Sequence, residues 1–112
     1  MDTELIEQNV HRLLGAMTGA ATTAMVAVGD QLGLYRALAD GGPATPDELA
    51  ARTGTAARYL KEWLSQQAAA GFLAYRQDDG RYVLPAEAAA VLADEASPAF
   101  MAGSTYRPSS CR

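Results

Sequence analysis

One cysteine in 112 residues, Cys111, leaves no pair for a disulfide within the chain, so nothing asks for an oxidising compartment. One histidine, His11, stands without a cysteine or serine near it in sequence, and a metal site would need three or four clustered ligands. No strand-like segment leads into GxGxxG or a P-loop, which excludes a phosphate or dinucleotide cradle. Basic charge is also short. Nine Lys and Arg against thirteen Asp and Glu give a net charge of −4, the wrong sign for a domain that lives on phosphate backbones. The longest uncharged run, Leu13–Gly29, carries three threonines and three glycines and falls just under the roughly 18 to 20 apolar residues that span a bilayer. The first residues, MDTELIEQ, are acidic where a secretory signal would be basic. These absences predict a cytoplasmic chain without a membrane partner. They also leave no active site: the carboxylate pairs Glu4/Glu7 and Asp94/Glu95 fall at a helix start and a helix end, where they read as solvated charge.

What is present is helix. Hydrophobic residues make up 49% and charged residues 20%, a globular composition of one domain's length. Alanine favours helix throughout. From Ile6 through Val10, Leu13, Leu14, Met17, Ala21, Met25, Val28 and Leu32 to Tyr35, apolar residues recur at spacings of three and four, the helical period. A helix of that reach exceeds what a small core can cover, so it either breaks or packs on a partner. Gly15/Gly19 and Gly29/Gly33 form two GxxxG pairs. They allow close approach of helices in a dimer, or they mark breaks between shorter helices.

Gly41-Gly42-Pro43 ends this block. Thr45-Pro46-Asp47-Glu48 has the form of a capping box, with Thr45 at the N-cap and Glu48 reaching back. It predicts a short helix from Pro46 to about Arg52. The stretch TGTAARYLKEWLSQQAAAGFL, Thr53–Leu73, predicts a second helix capped by Thr55, with Tyr59, Leu60, Trp63 and Leu64 turned inward. Gly71 supplies its left-handed stop. Two helices on a tight glycine-containing turn make a helix-turn-helix. FLAYRQ and RYVLP then alternate around Asp78-Asp79-Gly80, a strong hairpin signal. The fold class predicted is mostly α with a small β-hairpin: a winged helix-turn-helix (41–84) preceded by an N-terminal helical dimerisation segment (1–40). A C-terminal helical segment (85–103) follows, opened by Pro85 and resumed at Ser97-Pro98, and residues 104–112 form a frayed tail.

Winged helices that read DNA carry Arg or Lys on the recognition helix and wing tip. In residues 41–82 the five bases Arg52, Arg58, Lys61, Arg76 and Arg81 are balanced by Asp47, Glu48, Glu62, Asp78 and Asp79. Glu62 sits in the middle of the exposed helix face, and the wing tip is acidic where a minor-groove contact wants bases. Arg58, Lys61, Arg76 and Arg81 are the residues a DNA contact would use. Charge disfavours that contact, and Arg76 and Arg81 have acids close by to pair with.

The segments RYLKEWLSQQAAAGFL and GRYVLPAEAAAVLADEASPAFMAG, within a pattern running over roughly residues 10 to 103, resemble the N-terminal winged-helix domain of bacterial class I S-adenosylmethionine-dependent methyltransferases. The resemblance implies dimerisation and one wall of a substrate pocket as this domain's work. It implies methyl transfer by a Rossmann-like domain that has no counterpart here, so no cofactor residue carries over and S-adenosylmethionine enters only if a catalytic domain is supplied. The ending STYRPSSCR departs from the pattern, as an early stop or frameshift in a longer gene would produce. The expectation is thus a non-catalytic dimerisation and substrate-lid domain, forming a homodimer through Leu14, Met17, Ala21, Met25 and Val28. The competing expectation is a small winged-helix DNA-binding regulator, its dimer meeting half-sites about one helical turn apart.

Overall fold

A computed structural model describes residues 2–102. The first element, α1 (Thr3–Gln31), is one continuous helix of 29 residues. The Asp2 carboxylate starts it by accepting from the backbone N–H groups of Glu4 and Leu5, two donors that have no partner inside the helix. Gly15 and Gly19 do not break it. The break comes at Gly33, whose φ of 71° is a left-handed turn that other residues adopt at a cost. Then follow α2 (Leu34–Gly41), α3 (Pro46–Thr53), α4 (Ala57–Ala69), β1 (Ala74–Arg76), β2 (Arg81–Val83) and α5 (Ala86–Leu92). This is the mostly helical winged helix-turn-helix that the sequence predicted, and the helical segment before it is one long helix.

The local signals act as expected at three points. Thr45 and Glu48 close the capping box of α3 in both directions. Gly71, with φ 90°, ends α4. The hairpin pairs Ala74 with Val83, Tyr75 with Tyr82 and Arg76 with Arg81. One pairing lies beyond local signals: Ala44, in the α2–α3 connection, exchanges both backbone hydrogen bonds with Tyr82 at 3.1 and 2.8 Å. That bridge ties the wing to the start of the helix-turn-helix.

Three expectations fail. Thr55 does not cap α4; the N-cap is Ala56 with no side-chain bond, and the Thr55 hydroxyl instead lies 3.1 Å from that of Thr53. Tyr59 is not on the buried stripe. Leu60, Trp63, Leu64 and Gln67 fill it, and Tyr59, on the shoulder beside them, is 72% exposed. No helix forms at Ser97-Pro98, because the chain turns between 93 and 101. There the Asp94 carboxylate and the Ser97 hydroxyl accept from the N–H groups of Ala96 and Ala99, side-chain bonds that compete with a helical ladder. The tail at 104–112 lies outside the described residues.

The core gathers Leu34, Tyr35 and Leu38 of α2, Leu49 of α3, and Leu60, Trp63 and Leu64 of α4, with Leu73 and Leu92 closing it. From α1 the buried residues are Val26, Gly29 and Asp30. Only the C-terminal third of α1 is docked, and it is held tightly. Trp63 Nε1 donates to the Met25 carbonyl at 2.9 Å, and a Cβ on Gly29 would stand 2.5 Å from the Trp63 ring. A polar relay completes the joint: the Tyr35 hydroxyl donates to Gln67, Gln67 to Gln66, and Gln66 to the Thr22 hydroxyl at 3.0 Å. Burial first, and the charge of Asp30 second, hold the Tyr35 hydroxyl protonated well above the usual tyrosine range.

Candidate functional site

Two surfaces compete for a role. The first is α1. From Thr3 to Ala21 it meets no other element closely enough to be covered, and every residue is exposed. At about 3.6 residues per turn, Ile6, Val10, Leu13, Leu14, Met17, Ala21, Ala24 and Val28 fall on one stripe. Thr22, Val26, Gly29 and Asp30, which meet the core, fall on roughly the opposite side, in line with Glu4, His11 and Gly15. The stripe is therefore not the docked face carried outward. Leu13 is 62%, Met17 59%, Leu14 54% and Val28 41% exposed.

Four of the five residues predicted for a dimer surface (Leu14, Met17, Ala21 and Val28) lie open on this stripe. Met25 does not join them freely. It sits at the stripe's edge, half-buried and packed on the core, which a helical period alone does not reveal. Gly15 and Gly19 sit on the polar side with nothing within 4 Å, so the apolar stripe and this GxxxG pair face different ways. The Gly29/Gly33 pair serves the chain itself, one as a close approach to Trp63 and Tyr35, the other as the helix break. By length and composition α1 also suffices to cross a membrane, with 17% of its most apolar window buried.

The second surface is the helix-turn-helix with its wing. Arg58 and Lys61 are exposed on α4 beside Glu62. The other bases are committed inward. Arg52 donates to the carbonyls of Gly42 and Pro43 at 2.6 and 3.2 Å. Arg76 and Arg81 stand directly opposite each other on the hairpin, a like-charge pair that destabilises unless answered. Asp79 answers it, accepting from both guanidinium groups. Arg81 also makes a two-pronged contact with Glu48, 2.9 Å on each arm. The Arg81 guanidinium and the Thr45 N–H hold the Glu48 carboxyl down at about 2, and the Arg76 guanidinium holds Asp79 well below the usual carboxylate range. Glu48 thus caps a helix and clamps the wing. The sequence shows the first role; the second joins residues 33 positions apart.

Elsewhere, Arg36 bridges Asp30 and Glu95, so Glu95 is not merely solvated charge as expected. An open cleft of about 390 Å³ lies beside it between α2 and α5. Among the described residues no three His, Cys, Asp or Glu gather as metal ligands. The one sheet among those residues is the two-stranded hairpin.

Comparison with known proteins fits this geometry. No curated protein matches the sequence. Among solved structures, CalO1, a methyltransferase in calicheamicin biosynthesis in its SAH-bound form, is 33% identical over 88% of this chain and 28% of its own, with a TM-score of 0.65. The mitomycin 7-O-methyltransferase MmcR is 26% identical over 90% of this chain and 31% of its own, with a TM-score of 0.74. Human N-acetylserotonin methyltransferase, in complex with SAM, shares the fold alone: 20% identity, TM-score 0.72, over 86% of this chain and 29% of its own. The chain spans less than a third of each of these proteins and resembles their N-terminal portion. Residues 20–94 match the family model of the Rv2258c-like winged HTH domain, and the chain belongs to that family.

Proposed function

We propose that this domain works by self-association, as the non-catalytic N-terminal unit of an O-methyltransferase-type protein, and that it does not read DNA. The carrying observation is the apolar stripe of α1, Ile6 to Val28, exposed on the side away from the domain's own core. Exposed apolar residues contiguous over about 33 Å of one helix face, unlike scattered single ones, mark an interaction site. The residues predicted for the dimer, Leu14, Met17, Ala21 and Val28, with Met25 at the margin, belong to this reading. The kinship with O-methyltransferases supports it, as does the internal use of Arg52, Arg76 and Arg81. In this role the winged helix provides one wall of an acceptor pocket, in the cytoplasm, and methyl transfer takes place on residues outside this chain.

Sedimentation at tens of micromolar tests the reading. The wild type should run as a dimer and Leu13→Lys as a monomer with unchanged helicity. A wild-type monomer would overturn self-association. Binding of a DNA duplex that weakens steeply between low and physiological salt, as phosphate contacts require, would instead make Arg58 and Lys61 readers.

A further inference from the structure

The stripe on α1 changes character along its length. Its projecting end carries bulk: Ile6, Val10, Leu13, Leu14 and Met17. From the middle onward it carries less: Ala20, Ala21 and Ala24, with Val28 last in the helix. This gradient discriminates between the two ways in which a second copy could lie on it. Side by side in parallel, bulk meets bulk at one end and alanine meets alanine at the other. Helix axes set 8–10 Å apart cannot serve both, and the alanine end is left with voids that each carry a cost.

Resting on the self-association reading, we infer that a second copy of this chain packs against α1 antiparallel, with the two-fold axis passing at Met17. That register sets Ile6 opposite Val28 of the other copy, Val10 opposite Ala24, Leu13 opposite Ala21, and Leu14 opposite Ala20. Large faces small at each of the inner steps, which is how facing helices interdigitate. Charge agrees. A parallel pair brings Asp2 and Glu7, which flank the stripe, beside the same acids of the other copy, whereas the antiparallel pair puts the two Glu7 residues roughly 30 Å apart. The arrangement also lays the projecting half of each copy along the docked half of the other. There Ala24 and Val28 remain exposed to receive it.

Cysteine cross-linking in the full chain carrying Cys111→Ser tests the register, with a short bismaleimide as the probe. An equimolar mixture of Ile6→Cys and Val28→Cys should give a covalent dimer made of one chain of each kind. Ile6→Cys alone should give none, its two sulfurs lying about 33 Å apart in this register. Sedimentation of the same samples separates the two layers of argument. A dimer that cross-links through Ile6→Cys alone, or that gives no mixed product, overturns the antiparallel register and leaves self-association standing. A monomer in sedimentation overturns both.

Discussion

The two parts of α1 share one helical period and have opposite fates. Residues 22–31 are fastened by the Trp63–Met25 bond, the close approach of Gly29 to two aromatic rings, and the relay from Tyr35 through Gln67 and Gln66 to Thr22. Residues 3–21 leave the body of the domain with nothing of its own to cover them. The match to the family model begins at residue 20, close to where docking begins, while the solved relatives cover up to 90% of this chain. What separates the halves is partners, not periodicity: an amphipathic helix is indifferent to which surface covers it.

The same class of substitution should therefore behave differently in the two halves. Trp63→Ala removes a side chain 2% exposed, its edge-on contact with Tyr35 at 5.1 Å between centroids, and the anchor of α1. A loss of about 3–5 kcal/mol is expected, read in denaturant unfolding, and much of the helix signal of residues 22–31 should go with it. Leu13→Ala, in the projecting half, should leave the stability of the monomer nearly unchanged. Equal losses from the two would mean that the projecting half is covered within one chain, and the division of α1 would collapse.

A charge placed on the stripe sharpens the contrast. Leu14→Asp should weaken association at least tenfold, about 1.4 kcal/mol, with the unfolding midpoint of the dissociated chain preserved. Met25→Asp should weaken association and fold together, since Met25 packs on the core. Concentration-dependent sedimentation run beside unfolding separates the two effects. Leu14→Asp unfolding as easily as Met25→Asp would show that the stripe belongs to the core.

How much of this was legible follows the distance between partners. The capping box of Thr45 and Glu48, the stop at Gly71 and the hairpin around Gly80 are contacts within a few residues, and local chemistry announces them. Tyr59 falls outside the buried stripe because a helical period marks a stripe but not its width, and the stripe of α4 closes at Leu60. Ser97-Pro98 has a helix-start signature, yet Asp94 and Ser97 spend their side chains on turns. The Gln66–Thr22 bond, the Ala44–Tyr82 bridge and the Arg81–Glu48 clamp join segments 33 to 44 residues apart or different elements, and no local pattern encodes them. For the candidate site the helical period places Leu14, Met17, Ala21 and Val28 on one exposed face of α1. It did not show that this face and the GxxxG pair at Gly15/Gly19 point apart.

A smaller effect belongs to the cap itself. Thr45→Ala should cost about 1 kcal/mol, because the N–H of Glu48 then loses its acceptor. An equal loss from a Thr45→Ser variant would show that packing of the methyl group, not the cap, was being measured.

The smallest effect concerns the wing, where both partners of the clamp are partly open to water. Glu48 is held down at about 2 against an ordinary value near 4.5, so its folded-state preference for the charged form stabilises the domain above the ordinary value. That contribution fades as the pH falls from about 4.5 toward 2, as the carboxylate takes up a proton. Glu48→Gln separates the two jobs of this side chain. Its amide oxygen can still accept from the Thr45 N–H, but its NH₂ cannot receive the second arm of Arg81. The variant should melt slightly below the wild type at neutral pH, and the gap should close across that acidic window. A gap that stays constant with pH would mean that the Arg81–Glu48 pair contributes shape to the wing and no net charge stabilisation, as solvent-exposed pairs often do.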